Sequence, residues 1–243
     1  MSDIKLKNLK ILYRQKGTII TAIDDVSFTF HNEKNNVLIG YSGCGKTSLL
    51  NAVAGKILFN GEIYIGDKNI EDISIEDRRL AYVSQDFVLY PHMTIYDNIA
   101  FPLKLQKLPR EEIDIRVRSV ADRLDISFLL TRRPKYLSIG QQQRAAIARA
   151  LVKKPDILLM DEPLSNVDKE TGEEIKKLIK EIMKENKITL IYVSHDITSA
   201  LSLADYIFVL NEGKLIGEYT PGQFLRENNE IVMSLKQDLP HEK

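Results

Sequence analysis

The chain has 243 residues, 44% of them apolar and 28% charged, with Lys plus Arg equal to Asp plus Glu at 34 each. That length supports one large domain with a real core, and the balanced charge leaves no bulk attraction to nucleic acid. One cysteine excludes intrachain disulfides and a cysteine-built metal site, and the absence of a signal sequence or of any run near the ~18 apolar residues of a membrane helix predicts a chain made and kept in the cytoplasm.

Elements follow from periodicity. IKLKNLKILY and AIDDVSFTF alternate apolar and polar positions, the pattern of half-buried strands in an antiparallel layer. NVLIG is a short buried strand that ends in a Gly-rich loop, and TSLLNAVAG starts a helix. GEIYIG and LAYVSQ read as two further strands. From about 86 to 151 the pattern turns helical, and REEIDIRVRSVADRLDI sets Ile113, Val117, Val120, Ala121 and Leu124 on one face. DILLMDEP is a second buried strand. The helix TGEEIKKLIKEIMKE follows, with Ile175, Leu178, Ile179, Ile182 and Met183 inward. Its outer face is charged and places Glu173 four residues before Lys177. TLIYVSH is a third buried strand. Buried strands separated by helices imply a mostly parallel, doubly wound sheet, which the helical block interrupts as an inserted subdomain. The polar C-terminal tail is expected to be loosely held.

Three strand ends carry chemistry. GYSGCGKT, Gly40 to Thr47, satisfies G-x-x-x-x-G-K-[ST] between a strand and a helix. Backbone amides from Gly40, Tyr41, Ser42, Gly43, Cys44 and Gly45 through Ser48 would close around phosphates, helped by the positive helix terminus. Lys46 would reach the β- and γ-phosphates, and the Thr47 hydroxyl would bind Mg²⁺. Cys44 reads as a small filler, not a reactive thiol. In ILLMDEP two acids follow a buried strand at the end where such sheets bind ligands. Asp161 is placed for the Mg²⁺ shell and Glu162 to accept a proton from an attacking water. Ser194, His195 and Asp196 end the third strand, and His195 is the candidate γ-phosphate contact; His31, His92 and His241 belong to no comparable cluster. Gln85, after LAYVS, is a neutral side chain suited to Mg²⁺ or its water. The fold predicted is therefore α/β, a P-loop NTPase core with an N-terminal antiparallel β layer and a helical insertion, as a single domain over 1–243 with no separate regulatory domain.

LSIGQQQR, Leu137 to Arg144, opens another helix. Ser138 as N-cap and Gln141 three residues later form a capping-box pattern. The order Tyr13, GYSGCGKT, Gln85, LSIGQ, MDEP, SNVD and SHD resembles the ATP-binding cassette (ABC) ATPases from about Ile4 to Leu225. The resemblance implies ATP and Mg²⁺ as ligands and a head-to-tail dimer, of two copies or with a paired ABC subunit, in which each signature completes the other's site. It implies Tyr13 stacked on adenine, Ser138, Gly140 and Gln141 at the partner's γ-phosphate, Asp168 coupling the two sites, Glu162 as general base and His195 on the γ-phosphate. LYPHMTIYDNIAFPLK and DEPLSNVD look most like the importer branch, above all the ATPases of carbohydrate uptake, with importers of phosphate esters, polyamines, metals and inorganic anions still open. That implies integral-membrane permease subunits met around Tyr90 to Thr94, an external solute-binding protein, no nucleic acid, and a peripheral place on the cytoplasmic face of the membrane. Most relatives have glycine where this chain has Ile139.

Two other classes compete with this expectation: a soluble ABC ATPase of translation or DNA repair, and a nucleotide-binding module that hydrolyses poorly because of Ile139. The basic runs TRRPK and VKKP have no interleaved aromatics and read as solvated loops.

Overall fold

Strands β1 (Ile4–Gln15) and β2 (Thr18–Phe30) lead into β3 (Asn35–Ile39), helix α1 (Lys46–Val53), the short β4 (Asn60–Ile65) and β5 (Lys68–Asn69), and β6 (Leu80–Val83). Helices α2 (Ile95–Leu105), α3 (Arg110–Arg123) and α4 (Ile139–Leu151) separate β6 from β7 (Ile157–Asp161). The chain then alternates through α5 (Lys169–Asn186), β8 (Thr189–Val193), α6 (Ile197–Leu203) and β9 (Tyr206–Asn211). It closes with β10 (Lys214–Tyr219), α7 (Pro221–Arg226) and α8 (Glu230–Lys236). This computed structural model describes residues 3–15, 17–237 and 239; the expectation for the polar tail, and His241 with it, lies outside them. No helix among the described residues is long and apolar enough to cross a membrane.

Two sheets form. One has the order β2-β1-β4-β5 and its pairs are antiparallel; the other has the order β10-β9-β3-β8-β7-β6 and is parallel except at β9–β10. The central strands β3, β7 and β8 of the larger sheet are buried on both faces, and the period of two in a strand sorts the side chains between two cores. Val37, Ile39, Leu158, Met160, Leu190, Tyr192, Ile207 and Val209 face the core shared with α2–α6. Leu38, Ile157, Leu159, Ile191, Val193, Phe208 and Leu210 face the opposite core, which holds α1 and the antiparallel sheet. Ile4, Leu6, Leu9 and Ile11 of β1 join that second core, so the alternation read from IKLKNLKILY is an alternation of buried and open faces. Phe28 and Phe30 pack on Phe208 with ring centroids 5.2 and 5.0 Å away and tie the two layers together.

The predicted inward residues of α3 are buried: Ile113, Val117, Val120 and Ala121, with Leu124 just past the helix. Thr94 caps α2 by accepting from the Asp97 amide. Asn98, fully buried, holds the preceding loop: its Oδ1 accepts from Tyr90 N, and its Nδ2 donates to Tyr90 O and Thr94 O.

Several expectations need correction. β9 and β10 were not expected from the sequence, and they complete one edge of the main sheet. Glu173 pairs with Lys176, at 2.6 Å, not with Lys177. Lys176 is only 5% exposed, and its ammonium also donates to Ser199 Oγ at 2.9 Å. Lys176 thus makes a buried polar contact with α6, while Glu173, Glu174, Lys177, Lys180, Glu181 and Lys184 stay on the exposed charged face. His31 is in a cluster after all: its Nε2 lies 2.5 Å from Glu218 and its ring 4.0 Å from that of Tyr206.

Truncating Lys176 strips a charged donor from Ser199 in a nearly dry site. Lys176→Ala is expected to cost about 1–3 kcal/mol in urea unfolding; a change under about 0.5 kcal/mol, the range of ordinary surface substitutions, would contradict the buried contact.

Candidate nucleotide site

Three neighbouring parallel strands end level. Leu38 of β3 lies beside Val193 of β8, and Val193 beside Asp161 of β7. The ladder continues one step further, with Ser194 N donating to Leu38 O and Glu162 N to Val193 O, both at 3.1 Å. Gly40, Glu162 and His195 therefore leave the sheet along one carboxyl edge, where ligand crevices of open α/β sheets lie.

The loop after β3 needs its glycines. A Cβ on Gly40 would stand 2.1 Å from Leu210 O, and one on Gly45, at φ +106°, 2.3 Å from Ala22 O. Gly43 also lies in the left-handed region, at φ +78°. Cys44 N donates to Tyr41 O at 3.2 Å, closing the turn. Cys44 is buried and burial pushes its thiol up, as expected of a filler. Lys46, nearly dry, donates to Gly40 O at 2.7 Å and Tyr41 O at 3.0 Å, so its charge sits inside the loop. Tyr41 is exposed and donates to Ser234 Oγ at 2.6 Å; Ser42 is exposed. Tyr13 on β1 stands beside the first turn of α1, its hydroxyl 3.1 Å from Ser48 Oγ. A loop of this shape, with a buried cation and a helix N-terminus behind it, suits a chain of phosphates.

Asp161 is 7% exposed. Its Oδ1 accepts from Thr47 Oγ1 at 3.0 Å and its Oδ2 from the Tyr82 hydroxyl at 3.1 Å. Burial pushes the Asp161 carboxyl up, while the Thr47 and Tyr82 donors oppose it. Burial and then the adjacent carboxylate push the Tyr82 phenol up as well, which keeps it protonated and donating. Lys56 places its ammonium 3.2 Å from the Tyr82 ring centroid. Thr47 and Asp161 give adjacent hard oxygen donors, the chemistry Mg²⁺ takes when phosphates fill the remaining positions. Gln85 is exposed on the loop after β6 and makes no side-chain hydrogen bond among the described residues, so the structure does not tie it to this pair.

Glu162 holds a left-handed backbone, φ +45°, unusual for a residue with a side chain and typical of strained functional positions. Its Oε2 lies 2.9 Å from His195 Nδ1. Asp196 caps α6 through the Thr198 and Ser199 amides. Burial works against its ionisation, but the Ser199 hydroxyl and these amides prevail and hold the carboxyl low. The turn that carries His195 is thus pinned on both sides.

The signature segment is built locally. Ser138 Oγ accepts from Gln141 N at 3.3 Å and Gln141 Oε1 from Ser138 N at 3.1 Å, the reciprocal capping box. Gln142 Nε2 donates to Leu137 O, whereas Gln143 is fully buried with both amide atoms unpaired among the described residues. A Cβ on Gly140 would come 2.7 Å from Thr171 Cγ2, so glycine seats the start of α4 against α5. Asp168 caps α5, accepting from Thr171 N, which holds its carboxyl low. Ile139 is 52% exposed. No hydrogen bond among the described residues joins Leu137–Gln141 to the Gly40–Ser48 loop.

The candidate residues thus fall into two groups. Gly40 to Ser48, Asp161, Glu162 and His195 share one edge, which Tyr13 meets from the antiparallel sheet at Ser48; Ser138, Gly140, Gln141 and Asp168 gather at the starts of α4 and α5, and Gln85 joins neither group by a side-chain hydrogen bond among the described residues. Tyr82 and Lys56 were not singled out in the sequence. The available signal was parity: Tyr82 sits beside Leu159, which shares its face with Asp161 two residues on.

A doubly wound parallel sheet with this loop at its carboxyl edge defines a P-loop nucleotide-binding domain. The sequence model of the ABC transporter family matches residues 23–165, more than half of the chain, and the chain belongs to that family. It is 46% identical over 203 residues to the trehalose/maltose import ATP-binding protein MalK of Thermococcus litoralis, covering 81% of this chain and 55% of that protein. It is 41% identical to the oligosaccharides import ATP-binding protein MsmX of Bacillus subtilis, covering 91% of this chain and 60% of that protein. The chain therefore spans a little over half the length of these curated relatives. Among solved structures, the dimeric ATP-binding cassette MJ0796 in a post-hydrolysis state bound to ADP and Pi superposes with a TM-score of 0.82 at 31% identity, over 90% of this chain and 98% of that one.

Gly45→Ala forces a Cβ into Ala22 O at a left-handed backbone. It is expected to cost about 1–3 kcal/mol and to weaken nucleotide binding at least about tenfold, a factor worth 1.4 kcal/mol, in a fluorescent-nucleotide titration. Retained affinity would show that the loop tolerates a different shape.

Proposed function

We propose that this chain is the ATP-hydrolysing subunit of an ABC importer, driving solute uptake through a membrane permease. The observation that carries the reading is the level placement of Thr47–Asp161 and Glu162–His195 beside the Gly40–Gly45 loop. Loop amides and Lys46 would hold the β- and γ-phosphates, and Tyr13 the adenine. Thr47 and Asp161 would hold Mg²⁺, with Gln85 joining them from its loop; the ion, when bound, neutralises charge on the transferred phosphoryl group. Glu162 would take the proton of the attacking water, its carboxylate oriented by His195 Nδ1. His195 would contact the γ-phosphate.

The second group of residues belongs, on this reading, to the other site of a head-to-tail dimer. Ser138, Gly140 and Gln141 would present the start of α4 to the γ-phosphate held by a second cassette, an identical copy or a paired subunit, with Asp168 coupling the two sites. MJ0796 as a dimer supports this arrangement. The helices between β6 and β7 would act as an inserted subdomain of one domain, with the Tyr90–Thr94 loop, fastened by Asn98, against the permease. The named solutes of the two relatives support a carbohydrate as the cargo; an external binding protein would deliver it, and the chain would sit peripherally on the cytoplasmic face of the membrane. The exposed Ile139 would then stand at the dimer seam and loosen it without removing a backbone donor.

Glu162→Gln is expected to keep ATP binding, trap an ATP-bound dimer on size exclusion, and lose on the order of 10²–10⁴-fold in turnover. Turnover near wild type would show that the base is misassigned. Affinity-tagged chain expressed in its own host should copurify integral-membrane proteins; ribosomes or DNA in their place would overturn the importer reading. Ile139→Gly should tighten the dimer of the Glu162→Gln background, and an unchanged dimer constant would mark the position as tolerant.

A further inference from the structure

We propose that Tyr82 is a positioning residue for the metal-side carboxylate: its hydroxyl fixes Asp161 by one oxygen so that the other stays turned toward Thr47. The proposal rests on the reading of Thr47 and Asp161 as the Mg²⁺ pair.

Asp161 has two carboxylate oxygens and each has one donor from a different element. Oδ1 is met by Thr47 at the start of α1 and Oδ2 by Tyr82 from β6. Two donors on opposite oxygens fix the plane of the carboxylate, which a single donor leaves free to swing about its Cβ–Cγ bond. Tyr82 reaches Asp161 because β6 and β7 are adjacent: Tyr82 lies beside Leu159, and Leu159 and Asp161 point to the same face. Asp161 is nearly dry, so without that hydroxyl Oδ2 would be an unpaired charged acceptor, and the carboxylate would turn to share its Thr47 contact.

The tyrosine ring is itself held. Lys56, just beyond the end of α1, sets its ammonium 3.2 Å from the ring centroid. The loop helix thus touches the pair twice, by Thr47 at its start and by Lys56 past its end. Ring, hydroxyl and carboxylate form a chain from the far end of α1 to the oxygen that faces Thr47. A tyrosine whose only task is to satisfy a buried acceptor would support stability without any bearing on metal affinity. A tyrosine that aims Asp161 would change metal affinity and leave metal-free nucleotide binding alone.

Tyr82→Phe deletes one hydroxyl and keeps the ring under Lys56. In the non-hydrolysing Glu162→Gln background, nucleotide binding is followed with a fluorescent ATP analogue while Mg²⁺ is titrated, and Mn²⁺ bound to the protein–nucleotide complex is read by electron paramagnetic resonance. Tyr82→Phe is expected to raise the half-saturating metal concentration about three- to tenfold and to broaden the Mn²⁺ signal, with affinity in EDTA within about twofold of the parent. Lys56→Gln is expected to shift the metal titration in the same direction by less. A Tyr82→Phe titration that overlays the parent, or one in which affinity in EDTA falls by the same factor, overturns the proposal. Asp161→Asn separates the two levels. If it weakens metal dependence while Tyr82→Phe does not, only the role of Tyr82 fails. If it leaves metal dependence unchanged, the metal reading fails and the role of Tyr82 with it.

Discussion

Everything at the site depends on the register among β3, β8 and β7. Their residues at Leu38, Val193 and Asp161 are neighbours across the ladder, and one further hydrogen bond on each side carries the alignment past the strand ends. A period-two strand cannot slip by one residue without exchanging its two faces. Here the faces belong to different cores, so a one-residue slip of β7 would move Leu158 and Met160 into the layer that holds α1. Packing on both faces therefore fixes the chemistry at the edge. The same register puts the hydroxyls of Thr47 and Tyr82 on the two oxygens of one carboxylate, and the imidazole of His195 on Glu162.

The second physical feature is separation. The Ser138 capping box satisfies its own helix terminus, and Gly140 packs against Thr171, a neighbour on α5. The helix start with a half-exposed Ile139 beside it is complete as a piece of local structure. The oddity of LSIGQ is thus a matter of surface: Ile139 disturbs nothing within the chain, and any effect it has belongs to what meets that surface. Of the three glutamines, one caps, one binds a preceding carbonyl, and Gln143 keeps a buried amide with no partner among the described residues.

What the sequence made legible was local. Gly40 and Gly45 could be read because no side chain fits there, and Ser138 with Gln141 because a capping box spans four residues. The buried strands at β3, β7 and β8 declared themselves as continuous apolar runs. What stayed hidden depends on which strands become neighbours. Tyr82 gained its partner from the adjacency of β6 and β7, and His31 met Glu218 across 187 positions. The partner of Glu173 differed for a subtler reason: three- and four-residue spacings on a helix both bring side chains together, and Lys176, which also reaches Ser199 of α6, takes Glu173 in place of Lys177.

On the proposed reading one chain carries two half-sites, a phosphate loop with its carboxylates and a signature that would serve a second cassette. The most direct measurement is a crystal structure of the Glu162→Gln chain with Mg²⁺ and ATP. Phosphates are expected within the Gly40–Thr47 loop, the metal on Thr47 with Asp161 beside it, and Ser138 and Gly140 of a second copy at the same γ-phosphate. A nucleotide held by one chain alone, with its phosphates outside the loop and the Ser138 segment facing solvent, would contradict it.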